Sequence, residues 1–270
     1  MTNNTPVQAP ASAGTPASES KPARVKKIVI LGATSGIVLE VQRQLARRRC
    51  ELLLVARSPQ RLAALQADLL IRGASQVLTY STDLSSIPQH NGLLEFACRK
   101  FPDFDTVLLA YGSMHSQKES ESSIEVLLEE LQVGFVSAAA ILTLFAAELE
   151  RRRTGCIAAI TSVAGDRGRR SNYVYGSAKG GLSLFLQGLR SRLHPAGVRV
   201  ITIKPGPVQT PMTDGLPNAA QFANPQQVAH DIVASLERRS PDVLYTPRIW
   251  RYIMTAVKLV PESIFKRLPL

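Results

Sequence analysis

The stretch KKIVILGATSGIV, from Lys26 to Val38, decides the fold of this chain. Its first part, KKIVILG, is a continuous apolar run of strand length, and the residues from Gly36 to Arg49 have the apolar periodicity of a helix. Gly32 and Gly36 lie between the two, where glycine permits a tight turn. Backbone amides at the start of such a helix bind phosphate well, because the helix dipole is positive there. The stretch therefore predicts a strand–turn–helix unit with a phosphate-binding turn.

The rest of the chain repeats this alternation of apolar strands and amphipathic helices. Further strands are predicted at ELLLVAR, QVLTYSTD, FDTVLLAYG, GCIAAITSVAG, GVRVITIKPG and the short DVLYT. Strands that are apolar throughout and separated by helices indicate a parallel sheet covered on both faces. The predicted fold is a single α/β domain, a Rossmann-type doubly wound sheet of about seven strands in the order 3-2-1-4-5-6-7, with its ligand crevice at the carboxyl ends of the strands. The helices are predicted at 36–49, 58–73, 86–100, 122–152, 175–193 and 225–238.

Composition divides the chain into three segments. Residues 1–24 are rich in Pro, Ala, Ser and Thr and lack the apolar middle of a secretory signal, so we expect a disordered tail. Residues 25–247 form the predicted domain with its catalytic site, and residues 248–270 form a basic, amphipathic, helical segment. No apolar run approaches the roughly 20 residues that span a bilayer. We expect a cytoplasmic protein, with the inner face of the membrane as the alternative location.

The net charge of +11 raises the question of a nucleic-acid partner. Much of the excess lies in Arg47–Arg49 and Arg151–Arg153, which each end a predicted helix, and cations there complement the helix dipole. No basic motif interleaved with aromatic residues accompanies the charge, so no nucleic-acid partner is expected. An acidic membrane surface or a phosphorylated substrate accounts better for it.

The cysteines show neither pairing nor metal-ligand spacing. Cys50, Cys98 and Cys156 lie far apart, beside predicted strands or on a predicted helix. We expect reduced, buried and inert thiols, which are typical of cytoplasmic proteins, and no metal site.

Charged residues after the second and third strands bear on the choice of cofactor. An acid after the second strand would bind the 2′-hydroxyl of a dinucleotide ribose, but this chain has Arg57 there, with Arg61 nearby. A guanidinium suits a 2′-phosphate, which favours NADP(H) over NAD(H); the alternative is a solvated arginine at a helix start. Asp83, in STDL after the third strand, either contacts the adenine or caps the next helix.

The segment YGSAK carries the candidate catalytic pair. Tyr175 and Lys179 are four residues apart on one predicted helix, so their side chains share a face. The ordinary pKa of tyrosine, about 10, is too high for efficient proton transfer, and a nearby ammonium lowers it. Tyr173 has no lysine at the same spacing and is assigned to a pocket wall or to packing. Ser162 ends the fifth strand, where its hydroxyl can hold a substrate carbonyl.

The order and spacing of these motifs resemble the classical short-chain dehydrogenase/reductase family. The segments concerned are GATSGI, DL at 83–84, SVAG around Ser162, YGSAK and KPGPVQTPM. The resemblance extends from Lys26 to about residue 246. Each motif alone is weak, but the set is specific.

The resemblance implies a role for each matching residue. Tyr175 would donate a proton, Lys179 would hold the nicotinamide ribose and tune the tyrosine, and Ser162 would position the carbonyl. Val208 and Thr210 would contact the nicotinamide carboxamide. The cofactor-binding residues implied are Gly32, Thr34, Ser35, Gly36, Ile37, Arg57, Asp83, Leu84, Tyr175, Lys179, Pro205, Gly206, Val208 and Thr210.

Three positions depart from the family pattern. Val38 stands in place of the third glycine of the turn, which adds a side chain near the cofactor. Gly134 stands where the resemblance implies an asparagine that holds a water for the tyrosine–lysine relay. The segment LAYGS replaces the usual Asn-Ala-Gly after the fourth strand. Slowed rather than abolished catalysis is expected.

One branch of the family is more similar than others. The segments RSNYVYGSAKGGLSLFLQGLRSRL and YTPRIWRYIMTAVKLVPESIFKRLPL resemble the decaprenylphosphoryl-2-keto-ribose reductases. Those enzymes reduce a keto-sugar carried on a polyprenyl phosphate during cell-wall synthesis. The C-terminal segment, which Pro261 is expected to divide, either lies in a membrane interface or packs on the domain or a subunit partner. Its apolar residues are Trp250, Ile253, Met254, Val257, Ile264, Phe265 and Leu268.

The helix that opens at Tyr175 also suggests assembly. It carries the small residues GSAKGG and then Leu182, Leu186 and Leu189, and in this family that helix commonly builds a subunit interface. A homodimer or homotetramer is therefore expected.

Three functions follow from these observations. The first is an NADPH-dependent ketoreductase for a lipid-linked or otherwise phosphorylated keto-sugar. The second is a soluble reductase of another carbonyl, such as a 3-oxoacyl chain, or an alcohol dehydrogenase. The third is a non-catalytic dinucleotide-binding or regulatory module, which Val38 and Gly134 suggest.

Overall fold

The computed structural model describes Met1 and residues 26–214, 219–237 and 241–268. The prediction for residues 1–24 falls outside this part, apart from Met1. A parallel sheet of seven strands has the order β3-β2-β1-β4-β5-β6-β7, which confirms the predicted topology. The strands are β1 (Lys27–Leu31), β2 (Glu51–Ala56), β3 (Gln76–Ser81), β4 (Thr106–Leu109), β5 (Cys156–Ile160), β6 (Arg199–Pro205) and β7 (Val243–Thr246).

Two layers of helices cover the sheet, because alternate strand residues face opposite sides. Ile28 and Ile30 pack towards α1, α2 and α8, whereas Val29 and Leu31 pack towards α3, α6 and α7. The helices are α1 (Gly36–Ala46), α2 (Pro59–Ile71), α3 (His90–Lys100), α4 (Gln117–Ser122), α5 (Ile124–Leu131), α6 (Ser137–Arg152), α7 (Tyr173–Leu193), α8 (Pro225–Glu237), α9 (Ile249–Leu259) and α10 (Glu262–Phe265).

The long helix predicted at 122–152 is present as one continuous helical segment, 124–152, which begins two residues later than predicted. Ser123 ends α4 and caps α5, because its hydroxyl accepts the N–H of Val126. A π-helical turn, Gln132–Val136, joins α5 to α6 within this segment. The segment 124–152 is long and apolar enough to cross a membrane. Its side chains Ile141 and Phe145 pack into the core, however, so it has the character of a core helix.

The leucines of α7 do not form the predicted interface. Leu182, Leu186 and Leu189 are buried inside the domain, where they pack with α6 and the sheet. The apolar side chains that α7 does expose are Tyr173, at 43%, and Leu184, at 69%. Apolar periodicity identifies the buried face of a helix without saying whether the same chain or another chain covers it.

The C-terminal segment packs on the domain in two helices, α9 and α10, divided at Pro261 as predicted. Met254 and Phe265 are buried. Arg167 fixes the junction: its Nη1 donates to the carbonyl of Val257 at 2.6 Å, and its guanidinium lies 3.8 Å from the centre of the Phe265 ring. The predicted apolar stripe is thus divided: Trp250 and Val257 are half-buried, and the exposed members are Ile253, Ile264 and Leu268.

The cysteines are not all buried. Cys50 and Cys156 lie in the core, where burial raises the pKa of each thiol to about 11. Cys98 is half-buried, contrary to the prediction, and burial raises its pKa as well. A raised pKa leaves these thiols protonated and poorly nucleophilic.

Candidate active site

The turn after β1 requires its glycines. Gly32 has φ of +91°, and a Cβ there would lie 2.6 Å from the Cβ of Tyr111. A Cβ on Gly36 would lie 2.8 Å from the Cβ of Thr210. Ser35 is the N-cap of α1, and its side chain makes no capping hydrogen bond. The Ser35 side chain therefore leaves the first backbone N–H groups of α1 free to donate to a bound phosphate.

A cavity of about 530 Å³ opens above this turn, at the carboxyl ends of β1, β2 and β3. Val38 does not line it, because the valine side chain is fully buried in the core on the other side of α1. The side chain that Val38 adds therefore lies outside the cavity that is predicted to hold the cofactor. The sequence-predicted residues that do line the cavity are Gly32, Thr34, Ser35, Gly36, Ile37, Arg57, Asp83, Leu84 and Thr210.

The far end of the cavity is charged. Arg57 and Arg61 line it with exposed side chains. Asp83 lines it too, and its Oδ1 accepts the N–H of Ser85 at 3.0 Å. Burial raises the pKa of Asp83, but hydrogen bonds from Ser85 and the charge of Arg57 outweigh burial, so the pKa is lowered overall. Asp83 thus holds a turn ahead of the short 3-10 helix 87–89, whose N-cap is Ser86, and it does not cap α3, whose N-cap is Gln89.

A second cavity, of about 210 Å³, continues from the first at the carboxyl ends of β4, β5 and β6. Both are lined by Ser35, Ile37, Tyr111, Gly112, Thr210 and Met212, so they form one crevice. The crevice lies where the strand order reverses, as a doubly wound sheet requires. The sequence-predicted residues in the second cavity are Ser162, Tyr175, Lys179, Pro205, Gly206, Val208 and Thr210.

Close backbone packing holds the catalytic segments together. A Cβ on Gly165 would lie 2.5 Å from the backbone N of Gly180, and a Cβ on Gly176 would lie 2.9 Å from the carbonyl oxygen of Ala164. The small residues of GSAKGG therefore let α7 approach the turn after β5. This contact fixes Tyr175 relative to that turn.

Tyr175 lies beside Ser162 in the second cavity. Burial raises the pKa of Tyr175 to about 12, a hydrogen bond with Ser162 opposes the rise, and the charge of Glu130 adds to it. Burial thus dominates the pKa of Tyr175 in the cofactor-free chain, and its lowering by Lys179 stays a prediction. Tyr175 carries its proton at neutral pH.

Lys179 is buried, with 4% of its surface exposed, and its Nζ lies 5.8 Å from the centre of the Tyr175 ring. A Cβ on Gly112 would lie 2.8 Å from that Nζ, so the glycine of LAYGS makes room for the ammonium. Burial lowers the pKa of Lys179 to about 8, and the charge of Glu130 opposes the shift. The ammonium is therefore charged at neutral pH and loses its proton in mildly alkaline solution.

Sequence reasoning missed several residues of the crevice. Arg169 and Asn172 line the second cavity, and each has a buried polar atom with no hydrogen-bond partner among the described residues, Nε and Oδ1. Trp250 lines it too, with its indole against Gly206: a Cβ on that glycine would lie 1.9 Å from the indole Nε1. Arg169 could have been predicted to line the crevice from its position in the loop between β5 and α7. Nothing local marks Trp250, which reaches the site only through the packing of α9.

The crevice agrees with comparisons to known proteins. Residues 26–221 match the family described as short chain dehydrogenase. The chain belongs to the short-chain dehydrogenase family. An uncharacterized oxidoreductase of Mycobacterium tuberculosis is 33% identical over 242 residues, which cover 90% of this chain and 96% of the relative. This short-chain dehydrogenase is therefore an oxidoreductase by family.

Solved structures show the same fold. A short chain dehydrogenase from Burkholderia cenocepacia, solved in complex with NADP, has a TM-score of 0.78 and 19% identity, covering 91% of this chain and 98% of that one. An alcohol dehydrogenase from Thermococcus sibiricus, complexed with 5-hydroxy-NADP, has a TM-score of 0.73 and 25% identity, covering 82% and 95%. Nicotinamide dinucleotides are thus bound by proteins to which this dehydrogenase is similar.

Proposed function

We propose that this dehydrogenase is an NADPH-dependent ketoreductase that reduces a ketone to an alcohol. The observation that carries the proposal is the position of Tyr175 beside Ser162 and Lys179, in a cavity continuous with a dinucleotide-sized crevice. A general acid must hold its proton before the reaction, as Tyr175 does, and the ammonium of Lys179 stabilises the phenolate that remains afterwards.

The first cavity fits the cofactor. The glycine turn and the start of α1 would hold the pyrophosphate, Arg57 and Arg61 the 2′-phosphate, and Lys179 the nicotinamide ribose. When bound, NADPH supplies a hydride. NADP(H) over NAD(H) is supported by the two guanidinium groups at the adenine-ribose end.

The residues of the second cavity supply the remaining chemistry. The Ser162 hydroxyl donates a hydrogen bond to the ketone oxygen, which polarises the carbonyl. As the carbonyl carbon gains its hydrogen, the O–H bond of Tyr175 breaks and that proton goes to the ketone oxygen. The product alcohol has gained two hydrogens and two electrons, and one proton is consumed from solvent. Lys179 stabilises the phenolate left on Tyr175.

Arg57 tests the cofactor preference. Arg57→Ala is expected to weaken NADPH binding by about tenfold to a hundredfold, the effect of losing a charge-assisted pair, because the guanidinium faces the 2′-phosphate. NADH binding should change little, since that ribose carries no phosphate. Calorimetry with both cofactors measures the two dissociation constants. Arg99→Ala, exposed on α3 outside the crevice, is the control and should leave both unchanged. Equal losses for both cofactors in R57A would contradict the assignment.

The substrate we propose carries a phosphate, as a 2-keto sugar on a polyprenyl phosphate does. Arg169 supports this choice, because its half-buried guanidinium lines the second cavity and its Nε is buried without a hydrogen-bond partner among the described residues. Burial also lowers the pKa of Arg169. A partly buried cation of this kind is stabilised by an anionic ligand.

Arg169→Leu is expected to raise KM for a phosphorylated keto-sugar by about tenfold to a hundredfold. The kcat, and the KM for a neutral ketone, should change much less, because Arg169 touches the anionic part of the substrate only. Steady-state kinetics with the two substrates measures the difference. Arg170→Leu, the exposed neighbour, is the matched control. A uniform loss on both substrates would show that Arg169 is structural.

The packing of α9 and α10 supports a second candidate, a soluble reductase of another carbonyl. Met254 and Phe265 are buried on the domain, so part of the C-terminal segment does not need a membrane. The exposed side chains of Ile253 and Ile264 are available for peripheral contact with a lipid surface. Sedimentation with anionic vesicles separates the two candidates, since only the lipid-linked reductase is expected to co-sediment.

A homodimer or homotetramer remains part of the proposal, as members of this family typically are oligomers. Its support is now the exposed apolar side chains of Ile124, Leu128 and Val136 along the segment before α6, together with Leu184 on α7. Light scattering after size exclusion measures the assembly, and a monomer at micromolar concentration would contradict it.

A further inference from the structure

The helical segment that passes the catalytic lysine has a gap at Gly134. This glycine is buried at the centre of the π-turn Gln132–Val136, a local feature frequent at functional sites. A Cβ there would lie 2.9 Å from the Cβ of Ala178, so a larger side chain requires a shift of α7. The same Cβ would lie 3.9 Å from Oε1 of Glu130. The carboxylate of Glu130, one turn earlier, therefore borders the space that a longer side chain at 134 would use.

Glu130 is a buried acid with only one oxygen engaged. It is 1% exposed, and its Oε2 accepts the main-chain N–H of His115 at 3.0 Å and lies 3.0 Å from the Nδ1 of the same residue. Its Oε1 is buried and has no hydrogen-bond partner among the described residues. An unpaired carboxylate oxygen in the interior is costly, so its retention calls for a functional explanation.

The groups that face Glu130 form a path from solvent to the catalytic pair. His115 is 30% exposed, and its Nε2 lies 3.8 Å from Oε2 of the exposed Glu129. On the other side, a Cβ on Gly134 would lie within 3.9 Å of Oε1 of Glu130 and 2.9 Å of the Cβ of Ala178, which precedes Lys179 on α7. Burial raises the pKa of Tyr175 and lowers that of Lys179, and the negative charge of Glu130 raises both. Histidine is the side chain that most readily exchanges protons near neutral pH. Glu130 thus lies between the partly exposed imidazole of His115 and the part of α7 that carries Lys179.

We propose that Glu130 and His115 form the proton supply of the active site and replace the amide that Gly134 lacks. The proposal rests on the proposed function, because it assumes that Tyr175 gives up a proton in each turnover. An N–H bond of the Lys179 ammonium breaks and that proton goes to the phenolate of Tyr175. The carboxylate of Glu130 then takes a proton from Nδ1 of His115 on Oε2, and rotation of the carboxyl group presents it to the Lys179 amine, directly or through a water. His115 takes the replacement proton from solvent at Nε2 and regains its first tautomer by exchange with solvent. One solvent proton is consumed for each ketone reduced, and Tyr175, Lys179 and Glu130 end in their starting protonation states.

Glu130→Gln tests this role, because it keeps the size of the side chain and an acceptor for His115. In the NADPH-loaded enzyme we expect kcat to fall about a hundredfold, the lower end of what a positioned proton-transfer group contributes, with the Kd for NADPH unchanged. The alkaline limb of the kcat profile should move to lower pH, since the ammonium of Lys179 loses a stabilising charge. Glu125→Gln, exposed on the same helix, is the control and should change neither.

A measurement that does not require turnover distinguishes an effect of Glu130 on Lys179 from a general loss of protein stability. Competitive acetylation of the cofactor-free protein, read at Lys179 by mass spectrometry, should give a lower pKa in E130Q than in the wild type. Wild-type acetylation, kcat and pH limb in E130Q would overturn the proposal, whatever happened to the melting temperature. If the wild type neither binds NADPH nor reduces a ketone, the proposed function fails, whereas the acetylation result still decides whether Glu130 acts on Lys179.

A second variant covers the case in which E130Q does not fold. His115→Ala leaves the main-chain N–H that binds Glu130 and removes only the imidazole. It is expected to lower kcat severalfold without changing the Kd for NADPH, and added imidazole should restore the rate. An unchanged kcat, or a loss that imidazole does not restore, would overturn the relay.

Discussion

Replacement of Tyr175 by Phe is expected to lower kcat for ketone reduction by about a hundredfold to ten-thousandfold, the usual contribution of a positioned general acid. Phenylalanine keeps the ring against α7 and the turn after β5 but removes the only proton that this side chain can give. Burial raises the pKa of Tyr175 to about 12, so the wild-type phenol is protonated throughout the neutral range. The loss in the variant should therefore be independent of pH there. Single-turnover loss of NADPH absorbance measures the step directly.

Two measurements test whether this loss arises in the chemical step and not in cofactor binding. The Kd for NADPH should stay within a few-fold of the wild type, because Phe preserves the walls of the crevice. Tyr173→Phe is the matched control: Tyr173 is exposed and lines neither of the two cavities, which excludes the first of its two predicted roles, so its variant should keep the wild-type rate. Equal rates for Y175F and the wild type would instead support a non-catalytic dinucleotide-binding module.

The sheet was predictable from the sequence because its information is local. Strands β1, β2, β4, β5 and β6 are mostly apolar runs buried on both faces, and each is bounded by a helix or a glycine turn. The turn at Gly32 and Gly36 was predictable for the same reason, since a positive φ and a close approach of backbone leave only glycine. Such constraints involve only a few neighbouring residues, so they can be recognised in a short stretch of sequence.

The features that went wrong depend on contacts between distant segments. Val38 was expected to disturb the cofactor, but the orientation of α1 turns its side chain into the core. The leucines of α7 have the same spacing whether α6 or a second subunit covers them, and only the tertiary packing decides. The pKa of Tyr175 depends on how deeply the surrounding loops bury it, which no motif encodes. Glu130 did carry a sequence signal, an acid on an apolar helix four residues before Gly134.

Lys179→Met is expected to lower kcat by about a hundredfold or more and to remove the alkaline limb of its pH profile. The sign follows from the lysine: burial lowers its pKa to about 8, so the ammonium is present below that pH and is lost above it. Wild-type kcat for reduction should therefore fall as the pH rises through about 8. Methionine fills the same space without a charge, so the variant should be slow and insensitive to pH across this interval. A pH series of single-turnover rates measures both effects.

Stability provides the control for this variant. Lys179 is a buried cation, and burial disfavours its charged form, so its removal should leave the melting temperature unchanged or raise it. A loss of activity at full stability would mean that the ammonium is kept for catalysis at the expense of the fold. Retention of the alkaline limb in K179M would contradict this assignment, because another group would then control the rate. Gly112→Ala gives an independent check: its methyl group would lie 2.8 Å from Nζ and displace the ammonium, so it should slow the reaction in the same direction.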